Sequence, residues 1–383
     1  MPSWRLLLAP GCAAVAVALT GCAAAAAPHV PDAARPLPAT WSAGASAPAA
    51  PGPVTTASGP PRYYADIEDF GRAVVRSTAS GAVTADVPSP GRAYTAAAVA
   101  AAADDRTFFV DYRYASLFTP VMQTRVYRFQ VTASGQVAGF ALVKGGVVNG
   151  EAGRTELAAS PGGSLIAFDA VPAGVPLIRF DGVMRSDVVV IDTRTGKHRI
   201  WRGSDRPGWM MFMSSLSFTR GGVSLVILEE WCKPGSAGND SCLGSGSPAT
   251  EGRDAEVWAI DPASGGGRVD GGTLLLRQSA RLPYIAQAVV AQDGRTLLAI
   301  LLSGGSYLYP KELTVARISV ATGLESGVLF RGPTGLPADA SISTDGSGRY
   351  VLLAVDYGYH GWIYRGRLHV LPPTNGDGVP MAW

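Results

Sequence analysis

Acidic residues stand at the ends of several strongly apolar segments of this chain. They are Asp111, Asp169, Glu229 with Glu230, and Asp356. Carboxylate oxygens are the ligands that hard divalent cations such as Ca²⁺ prefer, and they also bind basic ligand groups. Buried carboxylates more often accept hydrogen bonds from loop backbone or pair with arginine. Two interpretations of Asp111, Asp169, Glu230 and Asp356 therefore stay open, a divalent-cation site and a structural ring, and no other cofactor is predicted.

Aromatic residues are concentrated in the segments that follow these acidic positions. Aromatic side chains on loops supply a large contact area at low cost in conformational entropy, and they are enriched at binding hot spots. The alternative is that the rings pack against one another and hold long loops in place. The residues predicted to form a binding surface are Tyr112, Tyr114, Trp231, Tyr307, Tyr309, Tyr357, Tyr359, His360 and Trp362.

The four cysteines fall into two pairs. Cys232 and Cys242 enclose a short segment that contains Gly, Pro and Asn. An exported compartment favours disulfides, and such a segment can close a small ring. We predict a disulfide that staples this loop, because a redox or metal role would need more thiols or a nearby histidine. The other two, Cys12 and Cys22, belong to the amino-terminal segment considered below.

Recognisable enzyme motifs are absent from the sequence. It has no G-x-S-x-G elbow, no Walker-type phosphate loop, no G-x-G-x-x-G that opens a helix and no H-E-x-x-H. A Ser-His-Asp arrangement assembled from distant positions could use His198, His360 or His369 as its base, and no local sequence favours one of them. His360 has an aromatic setting, between Tyr359 and Trp362. No catalytic residue is predicted.

The candidate residues lie within a repeated pattern of short strands. Small and apolar residues meet a tight turn, and a strongly apolar segment follows; the five copies begin at Ala93, Leu157, Leu216, Ala288 and Ala340. In the first four copies a third strand, another tight turn and a fourth strand follow, and the fifth continues less regularly. Four antiparallel strands per repeat, stacked radially, bury the strand edges of a β-propeller.

A sixth unit is predicted from the stretch that begins at Arg62, which holds two or three strands. Propellers commonly complete one blade with strands from both ends of the chain, and the tail from Pro380 to Trp383 is the candidate closing strand. We therefore predict an all-β fold over residues 62–383, a β-propeller with six blades of four antiparallel strands. Five or seven blades are the alternatives. A β-sandwich also has alternating strands, but it does not repeat one turn motif five times.

Three of the tight turns resemble those of known propeller families. The segments SPGGSLIAF, QDGRTLLAIL and TDGSGRYVLL are similar to the TolB-type and WD-like repeats, whose signature is a Ser-Pro-Asp-Gly turn before an apolar strand. The chain lacks the regular Gly-His and Trp-Asp pairs of the WD class, so the WD hydrogen-bond tetrad is not expected. The resemblance implies a propeller architecture and a tendency toward binding, and a fold alone assigns no function.

The connections within the repeats are unequal in length. Those between first and second strands are tight, whereas those between second and third strands are long and share one face of a propeller. Long loops gathered on a rigid scaffold are where binding usually occurs. The long connections span Tyr112 to Thr124, Ala170 to Ser186, Glu230 to Ala255, Ser303 to Glu312 and Tyr357 to Arg365.

The amino terminus has the pattern of an export signal. Arg5 precedes an apolar stretch from Leu6 to Leu19 that ends in Thr-Gly-Cys22. The stretch is too short and too broken to be a transmembrane helix, which favours a secretory signal. It resembles a bacterial lipoprotein signal, whose L-[AST]-[GA]-C box is cleaved before the cysteine. The resemblance implies a signal peptide over residues 1–21, and the alternative is an ordinary signal cut in the Ala-rich run that follows.

The same resemblance implies lipidation of Cys22, with diacylglycerol on its sulfur and palmitate as an acyl chain. Several acyl chains would hold the protein at the extracytoplasmic side of the cell membrane. Residues 22–61 are then the lipidated cysteine and a spacer rich in Ala and Pro, which is predicted to be disordered because it lacks large apolar side chains.

The charge balance limits the partners. There are 32 basic and 30 acidic residues, a formal net charge of +2. No long-range field therefore favours nucleic acid or an anionic lipid surface. We expect no nucleic-acid partner and contact with the membrane through the lipid anchor only.

Three functions fit these features. The first is a non-enzymatic binding or scaffolding propeller that engages a protein, a peptide or a cell-wall glycan. The second is a propeller enzyme, a metal-assisted hydrolase, lactonase or lyase that uses the carboxylates. The third is a structural accessory of a membrane assembly, so that the chain is a monomer or a member of such an assembly. The missing enzyme motifs and the unequal loops favour the first.

Overall fold

The computed structural model describes residues 59–68, 71–114, 123–149, 151–171, 186–233, 253–279, 282–305, 310–333, 340–355, 360–372 and 381–383. The chain forms six sheets, each with four antiparallel strands, and one of the six carries a fifth, parallel strand. The predicted all-β propeller with six blades is confirmed. No helix in the described part of the chain is long and apolar enough to cross a membrane.

Blades 1 to 3 contain the following strands, given from the innermost outward. Blade 1 consists of β25 (Met381–Ala382), β1 (Tyr63–Glu68), β2 (Arg72–Ser77) and β3 (Val83–Asp86). Blade 2 consists of β4 (Tyr94–Ala101), β5 (Thr107–Tyr114), β6 (Gln123–Val131) and β7 (Val137–Asn149). Blade 3 consists of β8 (Glu151–Ala159), β9 (Leu165–Val171), β10 (Asp187–Asp192) and β11 (His198–Arg202).

Blades 4 to 6 repeat the same order. Blade 4 consists of β12 (Met210–Phe218), β13 (Leu225–Cys232), β14 (Arg253–Ile260) and β16 (Thr273–Arg277). Blade 5 consists of β17 (Tyr284–Val290), β18 (Thr296–Gly305), β19 (Pro310–Ser319) and β20 (Glu325–Pro333). Blade 6 consists of β21 (Ala340–Thr344), β22 (Val351–Val355), β23 (His360–Tyr364) and β24 (Arg367–Val370).

The ring closes through the two ends of the chain. The inner strand β25 pairs antiparallel with β1, with Ala382 opposite Ala65 and Met381 opposite Asp66. The last residue, Trp383, is buried. The prediction that the carboxyl-terminal tail closes the first blade is confirmed.

The core lies between neighbouring blades. Because side chains alternate along a strand, each central strand packs against both neighbours. On β22, Leu353 belongs to an apolar cluster shared with blade 5, whereas Leu352 belongs to a cluster shared with blade 1. The runs of consecutive buried residues in the second strands follow from this two-sided burial, as in β13, where every residue is buried.

Side chains of the inner strands also hold neighbouring blades together. The Ser215 hydroxyl of blade 4 donates to the Ala288 carbonyl of blade 5 at 2.8 Å and accepts from the Ala288 amide at 3.0 Å. The Gln287 side chain of blade 5 accepts from the Ile342 amide of blade 6 at 2.6 Å. Between the inner strands, which include these residues, runs a cavity of about 150 Å³.

One strand departs from the four-strand repeat. The connection between the third and fourth strands of blade 4 contains β15 (Gly267–Arg268), which pairs in parallel with the outer strand of blade 3. Trp201 lies opposite Gly267 in this pairing. The outer edge of blade 3 is therefore partly covered by its neighbour, which protects it from pairing with other chains.

Candidate functional site

The predicted binding face holds the long connections between second and third strands. Three of the five predicted connections are long, those from Tyr114 to Gln123, from Val171 to Asp187 and from Cys232 to Arg253. The predicted long connections Ser303 to Glu312 and Tyr357 to Arg365 are wrong, because the strands of blades 5 and 6 extend further and leave only residues 306–309 and 356–359 between them. Residues 115–122, 172–185, 234–252, 306–309 and 356–359 lie outside the described residues. Among the predicted site residues, this applies to Tyr307, Tyr309, Asp356, Tyr357 and Tyr359. The positions that the structure describes are the strand ends that support these loops.

Two of the predicted acidic positions occupy equivalent places in blades 2 and 3. Asp111 is buried and accepts hydrogen bonds from the Ala98 amide and, at 3.3 Å, from Arg113 Nε. Asp169 is buried and accepts from the Glu156 amide at 3.3 Å. In both blades the amide that donates this hydrogen bond lies where the inner strand shifts register against the second strand. A bulge leaves an amide without a ladder partner, and the carboxylate supplies one.

The acidic pair of blade 4 points to opposite sides of the sheet. Glu229 accepts from the Ser204 amide at 2.9 Å and from the Ser204 hydroxyl at 2.7 Å. The neighbouring Glu230 accepts from the Tyr284 hydroxyl of blade 5 at 2.5 Å. Both are buried. Successive residues of a strand face opposite sides, so at most one of the two shares the facing of Asp111.

Burial changes the protonation of these groups. It raises the pKa of Glu229 to about 7, against the lowering effect of the two Ser204 hydrogen bonds. Burial also raises the pKa of Asp111, with the Arg113 charge opposing it. Among the described residues, no three His, Cys, Asp or Glu side chains are placed to hold a metal ion. The cation site at Asp111, Asp169, Glu230 and Asp356 stays a prediction.

The predicted aromatic residues of blade 2 take part in packing. Tyr112 is buried, donates its hydroxyl to the Pro88 carbonyl at 3.0 Å, and meets the Tyr127 ring edge-on at 5.8 Å. Tyr114 is half-buried and lies 5.3 Å from the Tyr94 ring. Of the two, only Tyr114 has surface left for a ligand.

Trp231 lies beneath an arginine that sequence analysis did not single out. Its ring is buried, and the Arg206 guanidinium lies over it at 4.6 Å. Arg206 also donates to Asp254 at 2.8 Å and to Glu256 at 3.2 Å, and it lies over the Trp209 ring at 5.1 Å. Arg206 lies in the connection between blades 3 and 4. Because it is far in sequence from Trp231, Asp254 and Glu256, this cluster could not be predicted from the sequence.

His360 and Trp362 face blade 1 from blade 6. His360 is buried, and its pKa is lowered first by burial and then by the charge of Arg76. Trp362 is half-buried and stacks on the His369 ring at 3.8 Å. Neither of the two strand residues presents a fully exposed ring to solvent.

A buried ion pair in blade 1 was also missed. Arg76 donates to Asp66 at 2.8 Å and contacts Glu68, and it donates to the Gly81 carbonyl at 2.8 Å. Burial raises the pKa of Asp66 to about 6, against the effect of Arg76. No sequence signal marked these residues, because charged positions on short strands are normally solvated.

The cysteines are only partly described. Cys232 is the last residue of β13 and is buried. Cys242 and Cys22 lie outside the described residues. The disulfide between Cys232 and Cys242 and the lipidation of Cys22 stay predictions.

The sheets define the chain as a six-bladed β-propeller. No protein-family model matches the sequence. No curated protein sequence matches it either.

Three solved structures are similar to the chain at low sequence identity. The acylaminoacyl peptidase of Pyrococcus horikoshii is 12% identical over 72% of this chain and 39% of its own, with a TM-score of 0.40. The tricorn protease is 10% identical over 82% of this chain and 33% of its own, with a TM-score of 0.42. The Cps50 (Swd1) β-propeller domain of Myceliophteria thermophila is 12% identical over 83% of both chains, with a TM-score of 0.41.

These similarities assign no activity. The chain spans about two fifths of the length of the acylaminoacyl peptidase, at 39%, and the identities are low.

The raised pKa of Glu229 predicts a pH dependence of stability. A carboxyl whose pKa is raised from 4.5 to about 7 on folding stabilises the protein at low pH, and this contribution is lost as the pH rises through 7. This group should therefore make the free energy of unfolding larger at pH 5 than at pH 8. Glu229→Gln should flatten the dependence, whereas Glu325→Gln, at an exposed position of β20, should not. Urea unfolding at both pH values measures it, and an unchanged slope in Glu229→Gln would contradict the assignment.

Proposed function

We propose that this chain is an exported, lipid-anchored propeller that binds a protein, a peptide or a cell-wall glycan through the face of its long connections. The observation that carries the proposal is the length of these connections in blades 2 to 4, since in blades 5 and 6 only residues 306–309 and 356–359 join the second strand to the third. In blade 4 the connection between β13 and β14 runs from Cys232 to Arg253, whereas in blade 3 the turn between β8 and β9 runs from Ala159 to Leu165. Binding loops are typically long segments held by a rigid scaffold.

The strand ends beneath the long connections supply such a scaffold. Asp111, Asp169 and Glu229 tie bulged inner strands or connections to the second strands through hydrogen bonds. Arg206 joins the connection between blades 3 and 4 to the third strand of blade 4 through Asp254. Loops that start and end on fixed positions present their side chains at lower entropic cost on binding.

The second candidate is a metal-assisted propeller enzyme. It is favoured by the recurrence of carboxylates at equivalent places in blades 2 and 3, at Asp111 and Asp169. Each of these already accepts an amide hydrogen bond, which favours the structural interpretation. A third candidate is an accessory of a membrane assembly. It would use the same face as the first candidate, but its partner would stay bound permanently.

The anchor is tested by the lipid on Cys22. Cells that express the full chain should incorporate labelled palmitate into it and retain it in the membrane fraction, because the sulfur and amino group of Cys22 carry the acyl chains. Cys22→Ser should lose both label and membrane retention, whereas the matched variant Cys242→Ser should keep both. Label that persists in Cys22→Ser would refute the lipoprotein assignment.

The binding face is tested by site-specific photo-crosslinking in cells. A photoreactive amino acid at Lys233, next to the longest connection, should give one adduct of defined mass, since that face is proposed to meet the partner. The same group at Thr322, an exposed residue in the turn between β19 and β20, is the matched control and should give none. A partner that stays bound through detergent extraction without irradiation would favour the assembly accessory. Adducts from Thr322 alone would contradict the proposed face.

A further inference from the structure

The closure of the ring leaves a gap in one layer of turns. In blades 2 to 6 a tight turn joins the first strand to the second, and neighbouring turns contact each other: the Ala103 amide donates to the Pro161 carbonyl at 3.0 Å, and the Gln292 side chain donates to the Gly346 carbonyl at 2.6 Å. Blade 1 has no such turn, because its first strand comes from the other end of the chain. The layer therefore has five turns for six blades.

A cavity occupies the place of the sixth turn. It has a volume of about 230 Å³ and lies where the chain enters blade 1, between the turns of blades 6 and 2. We call it the seam pocket; its principal lining residues are Arg62, Tyr63, Asp105, Arg106, Arg349 and Tyr350.

Asp105 links the two turns that flank the seam pocket. Its Oδ1 accepts from the Gly346 amide of blade 6 at 2.9 Å. Asp105 has a φ of +53°, in the left-handed region, whereas the corresponding turn of blade 5 has Gly294 at +65°. Asp tolerates this region better than most residues, at a cost that glycine avoids. An aspartate at this position therefore needs a role, and its side chain reaches across the seam.

The acidic residues next to the pocket are already engaged within their turns. Asp104 accepts from the Arg106 amide at 3.0 Å, from the Thr107 amide at 2.7 Å and from the Thr107 hydroxyl at 2.7 Å. Asp345 accepts from the Tyr350 amide at 2.9 Å and from Ser347. These carboxylates balance the formal charge of the pocket, but their oxygens are occupied by turn donors.

The arginines of the pocket have unused donors. Arg106 and Arg349 are exposed, and their guanidinium groups make no ion pair or hydrogen bond with any residue that the structure describes. The Arg62 guanidinium lies over the Tyr63 ring at 5.8 Å. Three guanidinium groups around one cavity match the several acceptor oxygens and the charge of a phosphate group better than the two oxygens of a carboxylate.

We propose that the seam pocket binds a phosphate group that carries a small hydroxyl-bearing substituent, as in a phosphoglycerol unit. The arginines bind the phosphate oxygens, and the second carboxylate oxygen of Asp105 accepts a hydrogen bond from a hydroxyl of the substituent. Burial raises the pKa of Asp105 to about 6, with the Gly346 hydrogen bond opposing it. This reduces the negative charge that the carboxyl would present to the ligand in mildly acidic solution.

The chemistry has two sources, a free phosphate ester and a lipid headgroup. Residues 59–62 line the pocket and continue the chain from Cys22. If Cys22 is acylated, as the proposed function holds, headgroups lie within the reach of this segment. The headgroup source therefore rests on the proposed anchor, whereas the binding of a soluble ester does not.

The first test is calorimetric titration of the purified full chain in a neutral detergent with sn-glycerol 3-phosphate. We expect saturable binding at one site. Arg106→Gln and Arg349→Gln should each weaken it about tenfold, because a charge-assisted hydrogen bond is lost. Wild-type protein that shows no saturable binding would overturn the proposal.

The matched control is Arg295→Gln. Arg295 follows Asp293 in the turn of blade 5 as Arg106 follows Asp104 in blade 2: Asp293 accepts from the Arg295 amide at 2.8 Å and from the Thr296 amide at 2.8 Å. Arg106→Gln and Arg295→Gln therefore alter turns of the same kind in different blades. Only Arg106 lines the pocket. An equal loss of affinity in Arg295→Gln would also overturn the proposal, since it would indicate a general charge effect.

The second test separates the sources. The Cys22→Ser chain is floated with vesicles of phosphatidylglycerol or of phosphatidylcholine, so that acyl anchoring cannot contribute. If the chain floats with phosphatidylglycerol vesicles and Arg106→Gln abolishes this flotation, the ligand is a lipid headgroup. If the chain binds sn-glycerol 3-phosphate in the calorimeter but does not float with the vesicles, the ligand is a soluble ester. Both outcomes are independent of the crosslinking result on the opposite face, so the failure of one proposal leaves the other standing.

Discussion

The fold depends on a strand of two residues. Each blade packs against two neighbours, so an open row of six sheets would leave two apolar faces in water. Met381 and Ala382 add the inner strand to blade 1, and Tyr64, Met381 and Trp383 then pack with Leu352 and Ala354 of blade 6. Side chains of this kind stabilise a protein by roughly 1.5–3 kcal/mol each when they are fully buried. The closing strand thus joins the two ends of the ring.

The seam buries an ion pair beside its apolar side chains. The interface between blades 4 and 5 combines apolar side chains such as Leu228 and Ile285 with the buried hydrogen bond from Tyr284 to Glu230. At the seam, charged Asp66 and Arg76 are buried close to His360. Three polar atoms there, the Tyr64 hydroxyl, Asp66 Oδ1 and Trp383 Nε1, are buried without a hydrogen-bond partner among the described residues. Because such groups cost free energy, they reduce what the closing interface gains from burial.

The propeller architecture could be predicted because the sequence signals for it are local. Period-two alternation, tight turns with glycine and the repeat of a turn motif at five places are each properties of a few consecutive residues. The closing role of the tail followed from the incomplete first unit. Both predictions describe the backbone, and both are confirmed.

The roles of the predicted side chains were harder to obtain. Strand ends appear equivalent in the sequence, but Glu229 and Glu230 face opposite sides, and Asp111 and Asp169 are equivalent only after the bulges are known. Register is set by contacts between strands, and a shift of one residue reverses the facing of a side chain. Arg206 meets Glu256 across 50 positions, and the seam pocket arises from a turn that is missing. No local pattern carries such information.

In the described part of the chain, the ring closes only through the carboxyl-terminal strand, β25, on blade 1. The most direct test of this closure is urea unfolding of the full chain with Trp383→Ala, compared with Val370→Ala on the outer strand β24. Trp383 is 2% exposed and Val370 is 69% exposed. Trp383→Ala should lower the free energy of unfolding by about 3–5 kcal/mol, and Val370→Ala should change it by less than about 0.5 kcal/mol. Equal unfolding midpoints for Trp383→Ala and the unaltered chain would contradict closure by this strand.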